Sequence, residues 1–466
     1  MPNILIIPID NRPVCYDLPI LTAKQDKSWN VFIPPRELMG GLFSSADYEG
    51  IVQWTKDIVS ENSIDYAVIA LDTVAYGGLV ASRRIEISLD NLKHRIKNFL
   101  SILSNVKILA TSSIMRISNN NINEEEKTYW AEYGEAIFSY SYDYHKTGIE
   151  PQHSIPDWVL DDYLSTRKRN FELNKFFLEL SDNKKFDYLV ISQDDTAEYG
   201  LNVKEGAILK DIIVANNLSA TIKTGADEIP LSLMARCFCD FYEQNPCIMP
   251  IFSTQNGAKI ISRYEDVCIE QSFLGQINIS GAKACYNKDD SDFVLYLNTP
   301  VDIQDDLAMQ VFQDKERTSC FEKPQGAFAV CDVQSANGAQ NTFIEELFDK
   351  KSFGLMGYAG WNTTANSLGS VLSCAIIGYF ANKNSCFDKN AFLKLIALRF
   401  LDDWAYQANL RQKLRKNADF NLKTAYFDYI NKVEDFLGID IFDFSFYFPW
   451  DRTFEIGLDF KIEKRR

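Results

Sequence analysis

Short, mainly apolar runs that stop at an acidic residue recur along the chain. ILIIPI stops at Asp10 and YAVIAL at Asp72. YLVIS runs through Gln193 into Asp194-Asp195, TIKTGA into Asp227-Glu228, and GAFAVC into Asp332. Runs of this length, rich in β-branched residues and bounded by turn formers, predict strands over 3–9, 30–34, 65–71, 106–113, 186–193, 219–224, 247–253, 293–298, 326–332 and 353–359. Between them, segments such as DNLKHRIKNFLSIL and KEGAILKDIIVANN place apolar residues at helical spacing. Alternation of the two patterns predicts an α/β fold of mostly parallel sheets with flanking helices in closely packed lobes. A (β/α)8-like barrel with extra strands is the alternative, disfavoured because ten strands exceed the eight that close such a barrel.

The pattern also divides the chain. Residues 1–122 read as a first α/β lobe and 123–184 as a helical insertion, polar and aromatic at first and then rich in Lys and Arg. Residues 185–362 read as a second α/β lobe, and 363–466 as a helical C-terminal region packed on the lobes. Repeats, low-complexity tracts and Pro/Gly/Ser-rich linkers are absent from the sequence.

Ligands of parallel α/β sheets bind beyond the carboxyl ends of the strands. Acidic residues placed there again and again therefore predict a shared cleft, although a single such Asp more often caps a helix or opens a turn. PIDNRP sets Asp10, Asn11 and Arg12 after the first strand, and ALDTVAYGG sets Asp72, Tyr76 and Gly77-Gly78 after the third. SIMRIS adds Arg116, and SQDDTAEYGLN brings Asp194, Asp195, Glu198, Tyr199 and Asn202 together. TGADE offers Asp227 and Glu228; CDVQSANG offers Asp332 and Asn337; GYAGWNTTANS offers Tyr358, Trp361, Asn362 and Asn366. Adjacent aspartates at Asp161-Asp162, Asp289-Asp290, Asp305-Asp306 and Asp402-Asp403 read instead as solvated turns or helix faces. In the tail, Trp450, Arg452 and Glu455 read equally well as site lining or as core across the lobes.

Composition removes several kinds of chemistry. Forty-eight basic against 64 acidic residues give a net charge of -16, which argues against nucleic acid and anionic membranes as partners. The apolar N-terminal run MPNILIIPI lacks a basic leader and is too short to span a bilayer, and no apolar stretch is expected to reach the ~20 residues of a membrane helix. Ten scattered cysteines without CxxC pairs read as reduced thiols of a cytoplasmic protein. His94, His145 and His153 are the only histidines and none lies in a strand-end segment, which disfavours Ser-His or Cys-His nucleophilic catalysis. Neither GxGxxG nor GxxxxGK[ST] occurs, so no dinucleotide or P-loop fingerprint is present.

PIDNRPV, ALDTVAYGGLVASR, SSIMRIS, YWAEYGEA, SQDDTAEYGLN, GADE, YAGWNTTANSLG and RFLDDWAYQ together resemble the motif series of the bacterial domain-of-unknown-function family 4127. The resemblance reaches from the first strand to FPWDRTFE, and implies one continuous module without naming a reaction.

Function is therefore expected from the residues. Carboxylates and amides suit sugar hydroxyls, Trp and Tyr faces suit a sugar ring, and glycosidic cleavage needs paired carboxyl groups of different pKa. The expectation is a hydrolase of small glycosides or sugar derivatives, with Asp194, Asp195, Asp227 and Glu228 catalytic, and no cofactor. Its substrate contacts are expected from Asp10, Asn11, Arg12, Asp72, Tyr76, Arg116, Glu198, Tyr199, Asp332, Asn337, Tyr358, Trp361 and Asn362. One alternative is a Mg²⁺- or Mn²⁺-dependent enzyme of a phosphorylated or carboxylated metabolite, with Asp10, Asp72, Asp194 and Asp332 as ligands and Arg12 and Arg116 on the anion. The other is a non-catalytic sugar-binding protein. The expected partner is a small molecule, with self-association left open.

Overall fold

The computed structural model describes residues 1–194, 196–315, 321–350, 353–417 and 419–465. Along the chain the first elements are β1 (Asn3–Ile7), α1 (Pro13–Ala23), β2 (Asn30–Phe32), α2 (Tyr48–Glu61), β3 (Tyr66–Ala70), α3 (Leu71–Tyr76), α4 (Ala81–Arg84), α5 (Leu89–Ile102) and β4 (Lys107–Ile114). Then come α6 (Trp130–Thr147), α7 (Asp157–Asp182), β5 (Tyr188–Gln193), α8 (Leu201–Ala215), β6 (Ala220–Thr224) and α9 (Ile229–Phe241). All ten expected strands form, in an α/β fold of parallel sheets.

The chain divides into two compact units, residues 1–11 with 30–230 and residues 12–29 with 231–466. In the first unit β2-β1-β3-β4-β5-β6 pair in that order, all parallel. Strands β3 and β5 are buried along their whole length, as expected of parallel strands covered on both faces. Strands β5 and β6, expected to open the second lobe, extend this first sheet instead. Their apolar runs match those of β1 and β3, so nothing in the sequence marks them for a different sheet. The helices that cover the sheet follow from local signals. Asp47 caps α2 by accepting from the Gly50 N–H at 3.0 Å, and Ser88 caps α5 through the Asn91 N–H at 3.3 Å. The expected insertion consists of α6 and α7.

The second unit contains β7 (Cys247–Phe252), α10 (Ile269–Ser280), β8 (Lys283–Ala284), β9 (Phe293–Asn298), β10 (Asp305–Asp306), β11 (Phe328–Asp332), β12 (Ser335–Ala336), α11 (Asn341–Asp349) and β13 (Leu355–Ala359). It continues with α12 (Thr364–Lys383), α13 (Lys389–Arg399), a stretch of π-helix over Phe400–Leu410, α14 (Arg411–Lys416), α15 (Leu422–Leu437), β14 (Ile439–Tyr447) and β15 (Gly457–Lys464). Its main sheet is parallel, in the order β13-β11-β9-β7-β8. Counted within the unit that is 2-1-3-4-5, the doubly wound order in which the strand order, not the strand direction, reverses beside the first strand. The first unit repeats this order with one strand added.

Helix α12 is the one described helix long and apolar enough to cross a membrane, a correction to the expectation that no such stretch exists. Ninety-four per cent of its apolar window is buried, and it packs on β11, β13 and α10 as the core helix of the second unit. The tail also differs from its helical reading. β14 and β15 form an antiparallel hairpin from Ile439↔Lys464 to Tyr447↔Gly457. Its strands carry few residues buried on both faces, which is why the apolar-run pattern did not reveal them.

Candidate functional site

The carboxyl ends of the strands are polar in both units, and each row is built from its own unit. In the first, Asp10 and Asn11 follow β1, and Asp10 is buried. The Asn11 N–H donates to the Gly40 carbonyl, and Asn11's own carbonyl accepts from Arg36 at 2.5 Å. Asp72 opens α3 immediately after β3; its carboxylate accepts from the Ser113 N–H at 2.8 Å and from the Ser112 hydroxyl at 3.2 Å. Burial pushes the Asp72 carboxyl up to about 7, against the pull of those hydrogen bonds and of Arg83. Tyr76 is buried, with the Arg169 guanidinium 5.4 Å from its ring. Gly77 is left-handed, and a Cβ there would meet the Ser45 Cβ at 2.5 Å, so this glycine is needed for close chain packing.

Arg116 after β4 lies within an ion-pair network. It reaches Glu125 at 3.0 Å, Glu126 at 3.1 Å and Asp194 at 3.6 Å. Arg83 reaches Glu126 at 3.0 Å and Glu125 at 3.6 Å. The glutamates come from NEEEK, which reads in the sequence as the polar start of an insertion.

Of the four expected catalytic groups, Asp195 lies outside the described residues. Asp194 is the partner of Arg116. Asp227 is half-buried, and Glu228 is buried with its carboxylate turned back to accept from the Ala226 N–H at 3.1 Å. Glu198 is exposed and accepts from the Tyr142 hydroxyl at 3.4 Å. Tyr199 packs edge-on against Tyr142 and His145. His145 accepts from the Gly200 N–H at 3.0 Å through Nδ1, so a histidine does reach a strand-end loop.

The second unit has the denser arrangement. At the end of β11, Asp332 accepts from Asn298 Nδ2 at 2.7 Å and from the Gln340 N–H at 2.8 Å. Asp403, on the π-helix, accepts from the Gly360 N–H and from Arg399, both at 2.7 Å. Gly360 follows β13, and a Cβ there would lie 2.7 Å from the Tyr358 hydroxyl and 3.3 Å from the Asp332 Cβ. Asp332, Tyr358 and Asp403 thus converge on one glycine. Burial, then the charges of Asp332 and Asp403, holds the Tyr358 hydroxyl well above its usual range, so it remains a proton donor.

Asp402 and Asp403 are buried, a correction to their reading as a solvated helix face. Apolar residues surround them on every side of the helix in RFLDDWAYQ, the mark of an interior helix. Burial raises both carboxyls, and Arg399 pulls both down. The charge of Asp402 further raises Asp403.

Asn337 donates its backbone N–H to the Asn362 carbonyl at 2.7 Å and its side chain to Asp306 at 3.1 Å. Trp361 packs on Phe454 with ring centroids 5.9 Å apart. Arg12, at the start of α1, pairs with Glu455 at 3.0 Å and stacks on Trp450, whose other guanidinium neighbour is Arg452. Buried side-chain atoms of the second unit without a hydrogen-bond partner among the described residues include the donors Trp361 Nε1, Arg399 Nε and Arg411 Nε, the Tyr358 hydroxyl, and the acceptors Asn337 Oδ1, Asn366 Oδ1, Asp403 Oδ1 and Gln407 Oε1.

The proposed metal set divides, with Asp10, Asp72 and Asp194 in the first unit and Asp332 in the second. Among the described residues no group of three or more His, Cys, Asp or Glu is arranged to hold a metal ion. A cavity of about 1820 Å³ in the second unit opens at the other end of the sheet, beside Asp292, Ala327 and Leu355 at the amino ends of β9, β11 and β13. It is not the strand-end site.

Two doubly wound parallel sheets with polar strand ends make this an α/β protein of two units. The chain belongs to the family described as "Protein of unknown function (DUF4127)", whose model matches residues 4–459. No curated protein and no solved structure matches it.

Proposed function

We propose that the protein is a hydrolase of small glycosides or other sugar derivatives, working at the strand ends of the second unit. The supporting observation is the set of six buried polar atoms on Asn337, Tyr358, Trp361, Asn366, Gln407 and Arg411. Leaving such atoms unpaired costs about 1–3 kcal/mol each, so a ligand that satisfies donors and acceptors together is strongly favoured. A polyhydroxylated ring does this, since each hydroxyl both donates and accepts.

The catalytic groups follow from the neighbouring carboxyls. The Asp402–Asp403 pair, raised by burial, supplies the proton for the leaving oxygen. Asp332, oriented by Asn298 and the Gln340 N–H, is the partner carboxylate. This assignment moves the chemistry from Asp194, Asp195, Asp227 and Glu228 to the second sheet. A cytoplasmic setting accords with the nine free cysteines among the described residues.

A panel of chromogenic glycosides and phosphate esters, assayed with and without chelator, tests the reading. Chelator-resistant turnover of a glycoside is the expected result. Turnover of a phosphate ester that stops with chelator would replace it with the metal-dependent alternative. Sugar binding without turnover would replace it with the non-catalytic one.

A further inference from the structure

Five arginines are buried among the described residues, and four of them pair with a carboxylate: Arg12 with Glu455, Arg83 with Glu126, Arg167 with Glu205 and Arg399 with Asp403. The fifth, Arg411, makes no ion pair among the described residues although it is fully buried. Its Nη atoms donate only to backbone carbonyls, of Phe454 at 3.3 Å and Asn337 at 3.4 Å. Its Nε has no hydrogen-bond partner there, and the Phe454 ring lies 5.6 Å from its guanidinium carbon. We propose that Arg411 binds an anionic group of the substrate, a carboxylate or a phosphate, so that the ligand of the second unit is an acidic or phosphorylated sugar. This rests on the sugar-site reading above.

A buried charge without a counter-charge is costly, which is why buried arginines are normally paired. Burial lowers the Arg411 pKa to about 10, while Tyr406, Asp306 and Asp402 raise it from beyond ion-pair distance. Arg415 lowers it as well, and at about 10 the guanidinium is still charged near neutral pH, with its fork unoccupied by a carboxylate among the described residues. The free Nε edge, taken with one Nη, is the pair of donors that a planar or tetrahedral oxyanion accepts in two parallel bonds. Asn337, whose carbonyl accepts from Arg411, and Gln407, four positions earlier in the chain, each carry an unpartnered amide oxygen suited to a sugar hydroxyl. Anion and hydroxyls together specify the class. Arg12 and Arg116, the arginines expected at an anion from their strand-end positions, are both held by carboxylates.

The test is the thermal midpoint and calorimetric affinity of the full chain with D-glucuronate, glucose 6-phosphate and D-glucose, at equal ionic strength. Glucuronate or glucose 6-phosphate should raise the midpoint and glucose should not, the responding probe distinguishing carboxylate from phosphate. Arg411→Lys, checked for folding by circular dichroism, should weaken that binding about tenfold or more, since one charge-assisted bond is worth about 1.5–3 kcal/mol. A response to glucose equal to that of the anions overturns the proposal, as does undiminished anion binding by folded Arg411→Lys. If the variant does not fold, the wild-type comparison decides alone. Turnover of a neutral glycoside without any response to the anions overturns the role of Arg411 and leaves the hydrolase standing. Anion binding without turnover of any glycoside supports Arg411 and overturns the hydrolase.

Discussion

Arg12 and Glu455 stand 443 positions apart in the chain and form a buried ion pair at 3.0 Å. The pair ties the start of α1 to the segment between β14 and β15, within the second unit. Removing one partner leaves the other charge buried, which typically costs about 3–5 kcal/mol. Glu455→Gln should therefore lower unfolding free energy by about 3 kcal/mol in a denaturant titration. A change below about 0.5 kcal/mol, the usual range of neutral surface substitutions, would contradict this role.

Asp72 makes stability depend on pH. Its carboxyl is raised from the ordinary value by burial to about 7, so between those values the folded chain binds a proton that the unfolded chain has lost. Stability from this group is complete below the ordinary carboxylate range and declines as pH rises through about 7, with a limiting slope of about 1.4 kcal/mol per pH unit. Asp72→Asn keeps the acceptor for the Ser113 N–H and removes the titration. Between pH 5 and pH 8 the wild type should lose more of its thermal midpoint than Asp72→Asn does. Equal losses would show that Asp72 does not titrate in this range.

Arg116 bridges Glu125, Glu126 and Asp194, a geometry that a single ammonium cannot reproduce. Arg116→Lys should lower stability by about 1–3 kcal/mol and leave substrate affinity unchanged. A raised KM with unchanged stability would return Arg116 to the substrate contact expected from sequence.

The strands were legible because parallel, doubly covered strands are continuous apolar runs, and YAVIA and YLVIS read as nothing else. Assignment to sheets was not legible, since β5 and β6 pair with β4 by register and not by composition. Strand-end position picks out Asp332, Asn337, Tyr358 and Trp361 as candidates, and the second unit places them after β11, β12 and β13 or at their ends. It could not find Asp402, Asp403 or Arg411, because they come from the π-helix and α14, remote in sequence from any strand end. Their signal is an interior-type helix carrying charges, in LDDWAYQANLR, which the strand pattern does not include. The ion pairs of Arg12 and Arg116 were hidden for a similar reason, as their partners lie 443 and about ten positions away in loops.

The proposed catalysis at the carboxyls of the second unit is tested most directly by turnover of one cleaved glycoside by wild type, Asp403→Asn and Asp332→Asn, each with folding verified. Loss of general acid or partner carboxylate should reduce kcat by at least about 10²-fold in both variants, while Asp194→Asn remains within severalfold of wild type. Wild-type kcat in Asp403→Asn and Asp332→Asn, with the loss appearing in Asp194→Asn, would contradict the account.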